Sequence, residues 1–290
     1  MKDEANALYS LEVANGSSLD LFYDNEFNPK QINGSFSYKD KDSIRTIFYA
    51  RIDTTEPKFR QQPDSIKKLY KEDVDYINII HTFAYKGSLT KKKAILTDEN
   101  RKPTPYERKL LDARFKIFNE FDSDTAKYKS YAGTTFSMLP LDYKKFIKIY
   151  LITLPSKPGV LVFGNDYYFE YDLKTSTLTK KEKIHKVYYN ISPQYGGKKH
   201  DVVKSTFHTH KDKEGDSPYI TITDICLLKL YKGGVEWDQH WIYSTKWITT
   251  YTMFDEKITI IDLKTFKKQT KPKEKDPYEN PEKKEDGEGQ

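Results

Sequence analysis

The chain has 290 residues, of which 37% are hydrophobic, 14% aromatic and 32% charged. This length allows one elaborated domain or two modest ones with a sizeable core, and the 23 tyrosines and 16 phenylalanines supply enough apolar area to exclude a wholly disordered chain. The net charge of +6 comes from interspersed basic and acidic residues rather than a basic stripe, which argues against a nucleic-acid-binding protein.

Cysteine usage and hydropathy narrow the class of protein further. The single cysteine, Cys226, excludes a disulfide within the chain and lies in an apolar segment, where a buried small hydrophobe is expected. No run approaches the ~18 apolar residues that cross a bilayer, so membrane insertion is not expected. Residues 1–5 do not form a signal peptide. The Tyr- and Asn-rich composition resembles that of some exported bacterial proteins, which favours a periplasmic or secreted mature chain slightly over a cytoplasmic one.

The first hundred residues are predicted to be rich in β-strands. Apolar residues alternate or cluster over residues 9–13, 19–23, 35–38, 44–52 and 75–85, and Asn-Gly and Asn-Pro pairs between several of these segments favour turns. His81 lies in the last segment, where a packed strand residue is the expected role. Residues 61–72 suit a short helix with Pro63 in its first turn.

A longer helix is predicted to begin after Thr104. Thr104 can cap this helix, Pro105 suits its first position, and Glu107 completes a capping box. Apolar residues at helical spacing extend the pattern to about residue 121. Residues 142–154 are apolar and dotted with lysine, and either a helix or a strand fits them.

From residue 158 onwards the sequence favours short strands separated by turns. The expected strands are 159–164, 167–171, 177–179, 184–191, 202–209, 241–244, 247–254 and 258–261, with a loop over 192–201 and a short apolar helix opened by Asp224. Residues 267–290 contain almost nothing apolar, so burial cannot offset the entropy of ordering them and a disordered tail is predicted.

The strongest functional signal lies in residues 204–210 and 221–228. His208 and His210 alternate at a predicted strand end, so both imidazoles are expected on one side. Asp224 opens the following helix, where its carboxylate can be aimed back at the strand. Two neutral imidazoles and a carboxylate, with an open fourth position, form the ligand set of a catalytic zinc centre.

This arrangement resembles the JAB/MPN-type (JAMM) metalloproteases, in which a strand carries His-x-His and an Asp in the next helix completes the zinc site. The resemblance covers roughly residues 155–262, with a specific motif only at 208–224. It implies that His208, His210 and Asp224 hold zinc. It also implies that Thr221 replaces the serine that helps to hold the tetrahedral intermediate. Zinc would then polarise a scissile amide carbonyl and acidify its own water.

Two features depart from that family. Thirteen residues, 211–223, separate the second histidine from the aspartate, which is a longer gap than usual there. The family's general-base glutamate is missing, because residues 156–159 read Ser-Lys-Pro-Gly. Glu170 is the nearest acidic substitute, although an exposed strand position is its expected state. Without a base, proton transfer slows by about a hundred- to ten-thousand-fold, so a weak or inactive hydrolase is also consistent.

Simpler interpretations exist for each motif taken singly. Thr221 and Asp224 also fit a capping box, and two histidines can share a strand face without binding an ion. PHP-type phosphoesterases need many later histidine ligands, and only His240 follows here; two-histidine phosphoesterases need a second His-x-Thr copy, which is absent. His185 and His200 show no partner spacing, and neither is expected to be a ligand.

Taken together, the sequence predicts an α+β protein. A β-rich region over residues 1–100 precedes a JAB/MPN-like mixed sheet flanked by helices over 101–266, and a charged tail follows over 267–290. One function consistent with it is zinc-dependent hydrolysis of a peptide or isopeptide bond in a protein or peptide substrate, with Thr221 as oxyanion helper and Glu170 as base. The other is a catalytically degenerate JAB-like binding or structural module of a bacterial envelope or interbacterial system.

Overall fold

A computed structural model describes residues 1–51, 74–185, 187–191, 203–210 and 217–270. Within these ranges the chain forms an α+β fold, as predicted. The α-helices are α1 (Lys2–Asp24), α2 (Pro105–Ser123), α3 (Ile222–Tyr231) and α4 (Leu263–Gln269). The strands are β1 (Gly34–Asp40), β2 (Ser43–Arg51), β3 (Ile77–Lys86), β4 (Ala94–Arg101), β5 (Thr134–Tyr143), β6 (Phe146–Pro155), β7 (Leu161–Gly164), β8 (Tyr167–Asp172), β9 (Thr177–Lys183), β10 (Tyr188–Ile191), β11 (Ser205–Thr209), β12 (Gln239–Tyr243), β13 (Trp247–Thr252) and β14 (Ile258–Asp262).

The described strands form four sheets. Strands β1-β2-β3-β4 and β5-β6-β8-β9 make two antiparallel sheets, and β7 pairs antiparallel with β10. The fourth sheet has the order β11-β12-β13-β14, in which β11 and β12 are parallel and the other pairs are antiparallel. A parallel pair needs a crossover connection, and α3 lies in the connection from β11 to β12. This β11–α3–β12 unit holds most of the candidate site.

Helix α1 corrects the prediction of strands over residues 9–13 and 19–23. Its buried residues follow helical spacing along one face: Ala5, Leu8, Leu11, Ala14, Ser18 and Phe22. Asp3 and Glu4 in the first turn favour the helix dipole. The prediction was wrong because Asn15-Gly16 favours a turn locally, whereas the helix runs through it and is held by packing against α3, β1, β2 and β5.

Most of the other predicted elements are confirmed. The capping box at Thr104 and Glu107 is present in α2, which runs to Ser123. The ambiguous segment 142–154 is strand, the end of β5 and most of β6. Strand β4 was not predicted, since its second half, Thr-Asp-Glu-Asn-Arg, is too polar for a strand signal. The predicted strand 184–191 is shorter, because only Tyr188–Ile191 pairs with β7.

The beginning of the predicted tail is also corrected. Residues 267–269 belong to α4, whose N-cap Asp262 accepts hydrogen bonds from the backbone N–H groups of Lys264 and Thr265. The predicted helix 61–72, the loop 192–201 and the tail from residue 271 lie outside the described residues. None of the helices that the structure describes is both long and apolar enough to cross a membrane.

The hydrophobic core joins the first hundred residues to the rest of the chain. One cluster combines residues of β1, β2 and β3 with α2, β6 and β8, including Phe36, Leu110 and Phe169. A second cluster combines α1 with α3, β12 and β13, including Leu8 and Leu227. Helix α1 therefore supports α3, and α3 in turn carries Asp224 into the candidate site.

Candidate metal centre

Strand β11 delivers two histidines to one face of its sheet. His208 and His210 are buried, whereas their neighbours Phe207 and Thr209 are exposed. The backbone N–H of His210 donates to the carbonyl of Tyr243 at 2.8 Å, which continues the alternation one residue beyond the strand. The prediction that both imidazoles lie on one side is confirmed.

Asp224 lies at the third position of α3, where it has two roles. Its Oδ2 accepts a hydrogen bond from the backbone N–H of Thr221 at 2.9 Å, and Thr221 Oγ1 accepts one from the backbone N–H of Asp224 at 3.1 Å. This is the reciprocal capping box that the simpler interpretation requires. Capping uses only one carboxylate oxygen, however, and Oδ1 faces the histidines with no hydrogen bond of normal geometry. The capping box therefore leaves Oδ1 available to a metal ion.

A third histidine completes the cluster. His185, in the connection between β9 and β10, joins His208, His210 and Asp224, and one nitrogen or oxygen atom from each lies within 4.8 Å of the others. Asp224 Oδ1 is 3.3 Å from His185 Nε2 and 3.6 Å from His208 Nε2, and Asp224 Oδ2 is 3.7 Å from His210 Nε2. All four side chains are buried.

These separations fit a shared cation. Ligand bonds of 2.0–2.1 Å in a tetrahedral site place neighbouring ligand atoms about 3.4 Å apart. This is close to the distances from Asp224 Oδ1 to His185 Nε2 and to His208 Nε2. His208 Nε2 and His210 Nε2 are closer, at 2.8 Å. Two neutral imidazole nitrogens at this distance repel unless a proton or a metal ion lies between their lone pairs. In the metal-free chain an N–H of one ring fills this position, and a metal ion would take the place of that proton.

The charge state of the cluster follows from burial and from Asp224. Burial lowers the pKa of His208 well below its usual value and also lowers the pKa of His210, so both rings are neutral near pH 7, the form that binds a metal. Burial acts on His185 in the same direction, but the carboxylates of Asp224 and Asp166 outweigh it and raise the pKa of His185 to about 10. Without a metal, His185 is therefore protonated near pH 7, and a metal ion would bind Nε2 in place of that proton. The histidines overcome burial at Asp224 and hold its pKa well below the usual range.

Outer hydrogen bonds orient two of the rings. His185 Nδ1 donates to Asp166 Oδ2 at 3.1 Å, which turns Nε2 towards the cluster. His208 Nδ1 lies 2.8 Å from His240 Nε2, and His240 Nδ1 lies 2.7 Å from Thr206 Oγ1. Such outer partners fix the tautomer of a metal-binding histidine and strengthen it as a donor. His240, the one histidine that follows the motif in the sequence, thus has a structural role behind His208.

An aromatic wall closes the inner side of the cluster. Phe163 stacks on His240 with ring centroids 5.1 Å apart, and Tyr189 packs against both Phe163 and His208. Trp237 stacks against the same Phe163–His240 pair. These rings exclude water from one side of the imidazoles, so electrostatic interactions between the ligands and a cation are strengthened.

The two predicted catalytic residues lie in different places. Thr221 is in the site: its Oγ1 is 2.8 Å from Asp224 Oδ2 and 3.3 Å from His185 Nε2. Glu170 is in the middle of β8, opposite Lys148 and Lys180, and it accepts a hydrogen bond from Tyr168. Four residues of strand, or about 13 Å, separate Glu170 from Asp166, which contacts the cluster. The structure thus brings Thr221 to the ligands but not Glu170.

Two contributors, His185 and Asp166, were not found from the sequence. His185 has no partner at ligand spacing and no local pattern marks it, because it reaches the site through the pairing of β10 with β7. Asp166 follows Gly164-Asn165, which is a turn signal rather than a ligand signal. Their role depends on tertiary contacts alone.

The chain was compared with protein-family models, curated proteins and solved structures, and none of them matches. Fold and site therefore define its class, an α+β protein with a buried group of three histidines and one aspartate that can hold a metal ion.

Proposed function

We propose that this protein is a zinc-binding module of JAB/MPN-like architecture in which the metal has a structural rather than a hydrolytic role. The observation that carries the proposal is the convergence of His185, His208, His210 and Asp224 on one point, with a ligand atom of each within 4.8 Å of the others. The JAB-like part of the proposal is supported by the β11–α3–β12 unit, in which a His-x-His strand precedes a helix that carries the aspartate.

Zinc is favoured by the chemistry of the donor atoms. Three imidazoles and a carboxylate suit zinc and related transition metals, whereas magnesium and calcium prefer oxygen ligands. A thiolate is not among the donors. Cys226 is buried in the apolar core of α3, and burial raises the pKa of its thiol well above the usual value.

A structural role is favoured by the number of protein ligands. Catalytic zinc sites use three protein ligands and leave a fourth position for water or substrate, whereas structural sites use four. His185 supplies the fourth ligand here. The absence of Glu170 from the cluster points the same way, because a hydrolase needs a base within hydrogen-bond reach of the metal-bound water.

Thr221 supports a second candidate, a zinc-dependent hydrolase of amide bonds in proteins or peptides. Its hydroxyl lies beside Asp224 and His185, in the position that the JAB-like interpretation gives to an oxyanion helper. This candidate requires that His185 leave the metal so that water and substrate can reach it.

Metal analysis of protein purified without added metal tests the proposal. Wild-type protein is expected to contain about one zinc per chain, and His208→Ala is expected to lose it. His81→Ala is the matched control, because His81 is also a buried histidine but stacks on Phe27 of a different core cluster, so this variant should keep its metal. Wild-type protein without metal, or equal zinc in the wild type and His208→Ala, would contradict the proposal.

A peptidase assay then separates the two candidates. Zinc-loaded wild-type protein is expected to show no cleavage of casein or of isopeptide-linked ubiquitin chains. Cleavage that is abolished by a chelator and by His210→Ala would establish the hydrolase instead.

A further inference from the structure

The segment that carries His185 is fixed against the β7–β8 turn. The backbone N–H of Ile184 donates to the carbonyl of Asp166 at 2.8 Å. On its other side the carbonyl of Val187 lies so close to Gly164 that a Cβ at Gly164 would be 2.0 Å from the oxygen. Gly164 also has φ +84°, which L side chains rarely adopt. His185 is thus held by contacts on both sides.

Asp166 is the centre of these contacts. Its side chain is fully buried, and both of its carboxylate oxygens have partners: Oδ1 accepts from the backbone N–H of Thr153 at 2.9 Å and Oδ2 accepts from His185 Nδ1 at 3.1 Å. The backbone N–H of Thr153 can only donate. The orientation of the Asp166 carboxylate is therefore determined by the backbone of β6, and the remaining oxygen must be an acceptor towards His185.

The tautomer of His185 follows from this polarity. An imidazole that donates from Nδ1 to Asp166 presents an unprotonated Nε2 when neutral, and this Nε2 faces Asp224 Oδ1 at 3.3 Å. Without that bond, two histidines and one aspartate would remain around the metal, the ligand number of an open site.

We propose that Asp166 is a positioning residue that clamps His185 onto the fourth coordination position of the metal, so that the site keeps its ion without an exchangeable water. This inference rests on the proposed metal site and deepens it. With Asp166 and Gly164 holding His185 in place, the centre is closed and free of water. Without them, the centre would be open and would accept small anions.

Asp166→Asn tests the clamp because it reverses one hydrogen bond and leaves the shape of the side chain almost unchanged. The amide oxygen must face the backbone N–H of Thr153, so the amide NH₂ faces His185 Nδ1. Both groups would then be donors unless His185 moves its proton to Nε2, where it can no longer bind the metal. Asp172→Asn is the matched control, since Asp172 is the last residue of β8, which Asp166 precedes, and its side chain bonds only to its own turn, at Lys174 and Thr175.

Cobalt(II) in place of zinc gives the readout, because its visible absorption is strong in four-coordinate sites and weakens when a fifth or sixth ligand enters. Wild-type protein and Asp172→Asn are expected to show strong absorption that azide does not change. Asp166→Asn is expected to bind cobalt about 10- to 100-fold more weakly, with an absorption spectrum that azide alters because water now holds the fourth position. His185→Gly gives a second test that does not depend on the buried carboxylate: added imidazole should restore the wild-type spectrum and its insensitivity to azide.

The outcomes are distinguishable. A wild-type spectrum that azide changes, or an Asp166→Asn spectrum identical to that of the wild type, would overturn the clamp while leaving the metal site intact. The clamp is also overturned if cobalt-loaded His185→Gly keeps the wild-type spectrum without imidazole. Wild-type protein that binds no cobalt would overturn the proposed function itself, and the clamp with it.

Discussion

Glu12 provides a quantitative prediction about the packing of α1. This glutamate lies in the middle of the helix, and its carboxylate accepts a hydrogen bond from Ser137 of β5. Burial raises the pKa of Glu12 from 4.5 to about 7, and the hydrogen bond from Ser137 offsets only part of that rise. The folded protein therefore retains a proton that the unfolded chain releases between these two pH values.

The sign and size of the effect follow from linkage. Because the pKa is higher in the folded state, folding is favoured below pH 4.5 and loses stability as the pH rises to about 7. A difference of about 2.5 pH units at 1.36 kcal/mol per unit corresponds to a loss of about 3 kcal/mol. Glu12→Gln cannot ionise, so its unfolding free energy relative to the wild type is expected to rise by that amount over the same interval.

Urea unfolding followed by circular dichroism, from about pH 3 to 8, measures this difference and also covers the range in which the control below changes. Comparing the change with pH cancels any constant effect of the amide itself. Glu107→Gln is the control with the opposite sign. Burial acts to raise the pKa of Glu107, but hydrogen bonds from Arg101, the Thr104 backbone and Tyr38 outweigh burial and lower it. The stability that the ionised Glu107 contributes is therefore present above pH 4.5 and is lost as the pH falls below that value. A difference curve for Glu12→Gln that is flat with pH would refute the reasoning.

Three further predictions concern the site and its support. Thr221→Ala is expected to weaken zinc binding about 10- to 100-fold in competition with a chromophoric chelator, whereas Thr221→Ser, which keeps the hydroxyl, should bind as the wild type does. Arg101→Ala leaves the fully buried Glu107 without its cation, and we expect it to lower the free energy of unfolding in urea by about 3–5 kcal/mol. Lys204→Ala, which breaks an exposed pair with Glu236, should lower it by only about 0–1 kcal/mol. Zinc at about a thousandfold excess over its Kd adds about 4 kcal/mol to the free energy of unfolding. Chelation should therefore lower the melting temperature measured by calorimetry by about 7 °C, with no change for His208→Ala.

Much of the fold could be predicted because local chemistry agrees with it. The capping box of α2, the alternation of β1 and β3, and the short strands after residue 158 all leave a signal in neighbouring residues. Helix α1 could not be predicted in this way. Its central Asn15-Gly16 favours a turn, and only the tertiary contacts with α3 and β5 make a helix of 23 residues the stable choice.

The residues of the candidate site also differ in whether the local sequence marks them. His208, His210 and Asp224 could be found because one strand and the next helix carry them within 17 residues. His185 could not, since it is 23 residues from His208 and arrives through the β7–β10 pair. This omission changed the chemistry that was expected, because three ligands indicate an open catalytic centre and four indicate a closed one.

X-ray absorption at the zinc edge, on protein purified without added metal, tests the central claim most directly. Four side chains that share one ion predict four nitrogen or oxygen neighbours at about 2.0–2.1 Å, with the outer scattering of three imidazole rings. The scattering of only two imidazoles beside an oxygen from water would contradict the closed site. A six-coordinate shell of oxygen atoms without imidazole scattering would contradict the metal centre altogether.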